Sequence, residues 1–304
     1  MKLLIPILFF CIIPTTAHAS MRIIAIGAPT VEIICALGME DAIVARSSWD
    51  TFPPSVLRLP SMGSPFSPNL EFILTLKPDL VILGNDMDII QQKLKKYEIP
   101  FLTINTYNTI DIIPSINKLA VVLKCKEKSR KLIHSLTELR RIAEQGIKNI
   151  PESSKLKGVM LTESTSMFAV TSSSGNSLLQ DSGALNCADG TQRPYPTLSK
   201  EWLLHNDINF ILIPMQNNQN NLQDNIRNFK LFDPSLFKKT KLIFIDEKLT
   251  YGIRAYLGSL LLAAQLYPEN FVHCSYAQIE YDFLKEFFPS ALEYKKISHE
   301  KNTR

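Results

Sequence analysis

Glu71 and Glu201 stand in matching surroundings, 130 residues apart. Asn69-Leu70-Glu71-Phe72-Ile73-Leu74 leads through Lys77-Pro78 into the apolar run Asp79-Leu80-Val81-Ile82-Leu83. Ser199-Lys200-Glu201-Trp202-Leu203-Leu204 leads through Asp207-Ile208 into Asn209-Phe210-Ile211-Leu212-Ile213. Each copy reads as a cap residue, a glutamate two positions on, one short helix and a buried strand. Asn and Ser are good N-caps, and a carboxylate in the first turn suits the partial positive charge there. For a single glutamate that capping role suffices. Two in equivalent places imply two related lobes, each displaying one carboxylate on the same side, which a symmetric partner with two cationic pockets could grip.

Other chemistry finds little support. The five cysteines include no C-x-x-C and the five histidines no H-E-x-x-H. His134, His205, His273 and His299 share no ligand-like spacing, so no metal site is expected. Ser173 or Ser174 could serve a secreted serine hydrolase, but there is no G-x-S-x-G elbow and no fitting His-Asp order. We therefore expect no catalytic residue, no enzyme activity and no intrinsic cofactor. Lys and Arg number 33 against 29 Asp and Glu, and the net charge of +4 is spread along the chain rather than blocked, which argues against a nucleic-acid partner.

The elements that must position these residues alternate. Arg22–Ile26, Ala42–Ala45, Asp79–Leu83 and Phe101–Ile104 read as strands in the first part; Val159–Thr162, Asn209–Ile213 and Lys241–Ile245 follow in the second. Short β-branched runs interleaved with helical patterns predict an α/β fold with mainly parallel sheets. Thr30–Leu37 reads as a helix closed by Gly38. The uncharged stretches Asn105–Asn108 and Ser172–Asn176 read as loops. Residues 113–150 read as one connecting helix, with Pro114 in its first turn and an apolar face that shifts phase after Leu123. Its basic outer face, from Lys124 to Arg141, is interleaved with Glu127, Glu138 and Glu144 and reads as a solvated surface.

At the N-terminus, Lys2, the apolar run Leu3–Ile13 and Ala17-His18-Ala19 describe a signal peptide, residues 1–19, cleaved after Ala19. That run is too short to span a bilayer. The expected organisation is then an N-terminal lobe at 20–112, the connecting helix at 113–150 and a C-terminal lobe at 151–304, in an exported, periplasmic monomer. Cys35 reads as a small core residue. If any of the four remaining cysteines pair, Cys187 with Cys274 is the preferred choice.

Arg22 through Gly38, with its Gly27-Ala28-Pro29-Thr30-Val31-Glu32 segment, resembles the opening of the cobalamin, haem and ferric-siderophore periplasmic binding proteins. Val44 through Pro54, Pro68 through Ile82, the second glutamate segment and Leu266-Tyr267-Pro268-Glu269 extend the resemblance over essentially the whole mature chain. It implies two α/β lobes joined by a single long backbone helix, a ligand cleft between them, and delivery of the ligand to an ABC importer made of a permease dimer with its ATPase. It assigns Glu71 and Glu201 to docking on permease arginines.

In such an architecture loops at strand ends face the cleft, and the candidates are Trp49, Phe66, Phe168, Arg193, Tyr195, Tyr251 and Arg254. Aromatic walls suit a large planar ligand, and arginines would meet its carboxylates or phosphate. The segments Ser47–Pro54 and Arg193-Pro194-Tyr195-Pro196 are most similar to cobalamin binders. Met62-Gly63-Ser64-Pro65-Phe66-Ser67 lacks the tyrosine that haem binders of this kind often carry there. The resemblance thus sets a cobalamin slightly ahead of a ferric siderophore or haem as the bound chelate.

Overall fold

The computed structural model describes residues 21–162, 168–172, 174–189, 195–215 and 240–292. The signal segment 1–19, Arg193, Ser173 and His299 lie outside the described residues.

Among the described residues two four-stranded parallel sheets carry the fold. The first is built from β1 (Ile23–Ile26), β2 (Ile43–Ala45), β5 (Leu80–Leu83) and β6 (Phe101–Thr103), in the order β2-β1-β5-β6. The second is built from β7 (Lys157–Met160), β8 (Leu185–Asn186), β9 (Phe210–Met215) and β10 (Lys241–Asp246). Read from its β8 edge, its order is β8-β7-β9-β10, the same plan as the first. A two-residue ribbon, β3 (Gly63–Ser64) with β4 (Ser67–Pro68), decorates the first half.

Successive side chains of a strand point to opposite faces, and parallel strands are covered on both. Ile23 and Ala25 of β1 accordingly enter a central core while Ile24 and Ile26 enter an outer one, and Leu80 with Ile82 and Val81 with Leu83 divide the same way on β5. In the second sheet Phe210 and Leu212 face the central core, and Ile211 and Ile213 face an outer cluster of their own. The central core is continuous from one sheet to the other. It passes through α1 (Ala28–Ala36), α4 (Thr109–Val122), α5 (Lys126–Ile147), α6 (Ser174–Asp181) and α8 (Ala255–Leu266). Among the described residues the remaining α-helices are α2 (Leu70–Thr75), α3 (Asp88–Lys96), α7 (Lys200–His205) and α9 (Tyr276–Phe287).

Four expectations need correction. The connecting stretch comprises two helices, α4 and then the long α5 of 22 residues, separated at Leu123–Cys125, where Lys124 takes a left-handed φ of 54°. The phase shift of the apolar face marked that break. Helix α4 also starts at Thr109, which leaves Pro114 inside it rather than in its first turn. The loop expected at Ser172–Asn176 is overrun by α6, which begins at Ser174. Finally, Cys35, Cys125, Cys187 and Cys274 are all unpaired. Cys187 packs in the outer cluster of the second sheet and Cys274 against the central core, so the fold holds them apart. The basic face of α5 is laced by Arg140–Glu144 at 2.8 Å and Arg141–Glu138 at 2.9 Å, as its charge pattern predicts.

Candidate ligand cleft

Parallel sheets gather functional side chains where strands end and loops begin, outside their carboxyl edges. A cavity of about 840 Å³ lies there. Gly27 follows β1, Ser48 and Trp49 follow β2, Gly84 and Asn85 follow β5, and Thr106 and Tyr107 follow β6. The opposite wall is Asp246 at the end of β10, then Glu247, Lys248 and Tyr251, with Tyr195. Gly27 makes the turn from β1 into α1. Its φ of 103° is one that side-chain-bearing residues rarely adopt, and it lets the Gly27 carbonyl accept from both Thr30 N and Val31 N at the start of α1.

Of the residues named from sequence, Trp49, Phe66, Tyr195 and Tyr251 come together in this cavity. Trp49 and Phe66 meet edge to face, with centroids 5.2 Å apart, yet remain 59% and 64% exposed. Large aromatic faces left open inside a concavity form a surface ready for a greasy or planar ligand. Tyr251 is partly buried; burial, and then the nearby Glu32 charge, push its phenol above the ordinary tyrosine range. Phe168 does not line the cavity: its residue is bridged to Thr197 beside the second sheet, and its carbonyl accepts from Thr162 N at 2.9 Å.

Arg254 is a correction. It is buried, and it clasps the buried Glu32 of α1 through Nε to Oε2 at 2.9 Å and Nη2 to Oε1 at 2.6 Å. The Phe52 ring covers its guanidinium at 3.8 Å. Burial pushes the Glu32 carboxyl up, while the guanidinium pulls it back toward the charged form. An arginine so engaged is a strut between the two halves of the chain rather than an anion receptor in the cleft. Glu32 was the signal: a lone carboxylate among Val31, Ile33 and Ile34 on an apolar helix requires a cationic partner. Thr109 Oγ1 to Asp181 Oδ2 at 2.6 Å and Tyr256 OH to the Thr109 carbonyl at 2.8 Å add further ties.

The polar groups of the wall are the part that sequence reasoning missed. Asn85 Nδ2 donates to Asn105 Oδ1 at 2.6 Å, Thr106 N donates to Asn85 Oδ1 at 2.9 Å and Tyr107 N to Asn105 Oδ1 at 3.0 Å. This small network fixes the two loops after β5 and β6 against one another. Position immediately after a buried parallel strand was the available clue. Asp50, next to Trp49, is fully buried; its Oδ2 accepts from Ser47 N at 2.6 Å and holds the loop that presents the indole. Burial raises its carboxyl to about 6, against the opposing hydrogen bonds of Ser47 and the Arg46 charge.

Glu71 and Glu201 sit in the first turns of α2 and α7, each helix having six residues. Asn69 Oδ1 accepts from Phe72 N at 3.0 Å and Ser199 Oγ from Trp202 N at 3.1 Å, so both caps are made by the side chains that the repeat singled out. Both glutamates are exposed. Among the described residues no three His, Cys, Asp or Glu side chains gather as a metal site, and no helix is long and apolar enough to cross a membrane.

The profile of the periplasmic binding protein family matches residues 23–247. A vitamin B12-binding protein of Pectobacterium carotovorum subsp. carotovorum is 26% identical over 205 residues, covering 66% of this chain and 73% of the relative. Its counterpart in Photorhabdus laumondii subsp. laumondii is 27% identical over 259 residues, covering 82% and 88%. Among solved structures, a periplasmic haem-binding protein of Pseudomonas aeruginosa superposes with a TM-score of 0.71 at 20% identity, covering 82% of this chain and 93% of that one. That last likeness speaks for the fold.

Proposed function

The chain belongs to the periplasmic binding protein family, and from that premise we propose that it captures a bulky metal chelate, a corrinoid such as vitamin B12 ahead of haem or a ferric siderophore, and hands it to an inner-membrane ABC importer. The observation that carries this reading is the cavity between the two sheets, with exposed Trp49, Phe66 and Tyr195 set among hydroxyl and amide groups. Curated relatives named for vitamin B12 favour the corrinoid.

The charges support the same order. Among the described lining residues the charged side chains are Asp246, Glu247 and Lys248, and Arg254 is bound to Glu32. A wall with more carboxylate than cation repels polyanionic ferric chelates and the carboxylates of haem. It suits a neutral chelate fringed with amides, whose N–H groups donate to carboxylate, hydroxyl and amide oxygens. Export through a cleaved segment at 1–19 places the protein where such a ligand arrives, and Glu71 and Glu201 would engage cationic pockets of the paired permease subunits.

Titration with cyanocobalamin, haemin and a set of ferric siderophores tests the ligand. Cyanocobalamin is expected to bind best, and Trp49→Ala with Tyr195→Ala to weaken it by tenfold or more, about 1.4 kcal/mol. Tighter binding of haemin would reverse the order. Delivery is tested separately: Glu71→Ala with Glu201→Ala should abolish uptake in cells and leave ligand affinity unchanged.

A further inference from the structure

A second cavity of about 330 Å³ adjoins the first, and Thr51, Asp246 and Lys248 line both. These three residues form the partition. Beyond them the character of the walls changes. Phe52, Pro54 and Leu57 come from the first half of the chain, and Leu249, Leu257 and Leu284 from the second. Of the polar residues there, Arg254 is occupied by Glu32 and stacked under Phe52, so its charge is already answered. The Asp246 carboxylate caps its own turn, accepting from Lys248 N at 3.0 Å. That leaves the Lys248 ammonium at the partition, Glu280 on the far wall, and an apolar chamber behind.

A ligand that fills both spaces needs a planar body for the aromatic cavity and an arm whose anionic link passes Lys248 and whose end is apolar. Building on the corrinoid reading, we infer that the second chamber receives the nucleotide arm of a complete corrinoid. The phosphodiester of the arm meets Lys248, the ribose hydroxyls donate to Glu280 and Thr51, and the aromatic base lies among Phe52, Leu57, Leu257 and Leu284. The volume is at the small end of the range for ligand sites, as befits a part of a ligand. Haem has no such arm, so the chamber also separates the two classes of chelate.

Cobinamide keeps the corrin ring and lacks the nucleotide, which makes the comparison direct. Cyanocobalamin should bind the wild-type protein about tenfold or more tightly than dicyanocobinamide. Leu57 is 45% exposed, so Leu57→Trp fills the chamber without disturbing the core; a thermal melt verifies folding. This variant should close the gap by weakening cyanocobalamin alone, and Lys248→Gln should weaken cyanocobalamin more than cobinamide. Equal wild-type affinity for the two corrinoids, or Leu57→Trp changing both alike or neither, overturns the arm site and leaves the corrinoid reading standing. Failure of both corrinoids to bind the wild-type protein removes that reading itself.

Discussion

The two sheets follow one plan, but the bonds that repeat between them differ in kind from those that do not. Asp79 precedes β5; its Oδ2 accepts from Arg22 N at 2.7 Å and its own N donates to the Arg22 carbonyl at 2.9 Å. Asn209 precedes β9, 130 residues later, and treats Lys157 the same way: Oδ1 accepts at 2.7 Å and N donates at 2.8 Å. The capped helices that carry Glu71 and Glu201 repeat at the same interval. In contrast, Glu32–Arg254, the Trp49–Phe66 pair and the Asp246–Lys248 turn have no counterpart at that spacing. Repeated features build the scaffold and the two capped helices with their exposed glutamates. Single-copy features join the halves and give the cavity two different walls.

Breaking the cross-chain strut should have the largest effect. Glu32→Leu or Arg254→Met alone leaves a buried charge unanswered and should cost about 3–5 kcal/mol in urea denaturation, while the double replacement recovers most of that loss. A double variant as unstable as either single one would mean that the pair does more than balance charge.

Asp50 offers the next test. Its carboxyl is raised from 3.8 to about 6 in the folded protein. The folded state therefore holds the proton more firmly than the unfolded chain. Its contribution is fully present below pH 4 and is lost as pH rises from about 4 through 6, by up to about 3 kcal/mol. Asp50→Asn should remove this decline; denaturation curves at pH 4, 5, 6 and 7 that keep the same slope in both proteins would refute it.

Gly258 sharpens the single-copy side at lower cost. A Cβ there would meet the Leu249 carbonyl oxygen of the turn that leads out of the cleft wall. Gly258→Ala should cost about 1–3 kcal/mol by forcing α8 from that turn, read as a lowered midpoint in denaturant. The smallest effects belong to the repeat: Asn69→Ala and Ser199→Ala should each cost about 1 kcal/mol, and equally. A clear inequality would show that one copy of the capped helix has taken on a role the other lacks.

Much of the scaffold is legible in the chain because its signals are local. Alternation in Ile23–Ile26 and Leu80–Leu83 sets both faces of the first sheet, cap residues start α2 and α7, and a fixed interval relates the halves. Trp49 and Tyr251 could be assigned to a cleft because they follow parallel strands, where loops converge, whereas Phe66 in the β3–β4 turn and Tyr195 were assigned through the resemblance. Arg254 satisfied that rule, yet its charge is taken up by a partner that stands 222 residues away. Phe168 satisfied it too, and bridges beside its own sheet instead.

Sequence by itself determined the α/β alternation, the repeat, the caps and the outward carboxylates, because periodicity and capping act over a few residues. Tertiary structure alone decided which charge answers Glu32, which strand ends share a cavity and where a second chamber opens. Those depend on distances between segments remote in the chain, set by the packing of one continuous core between two sheets.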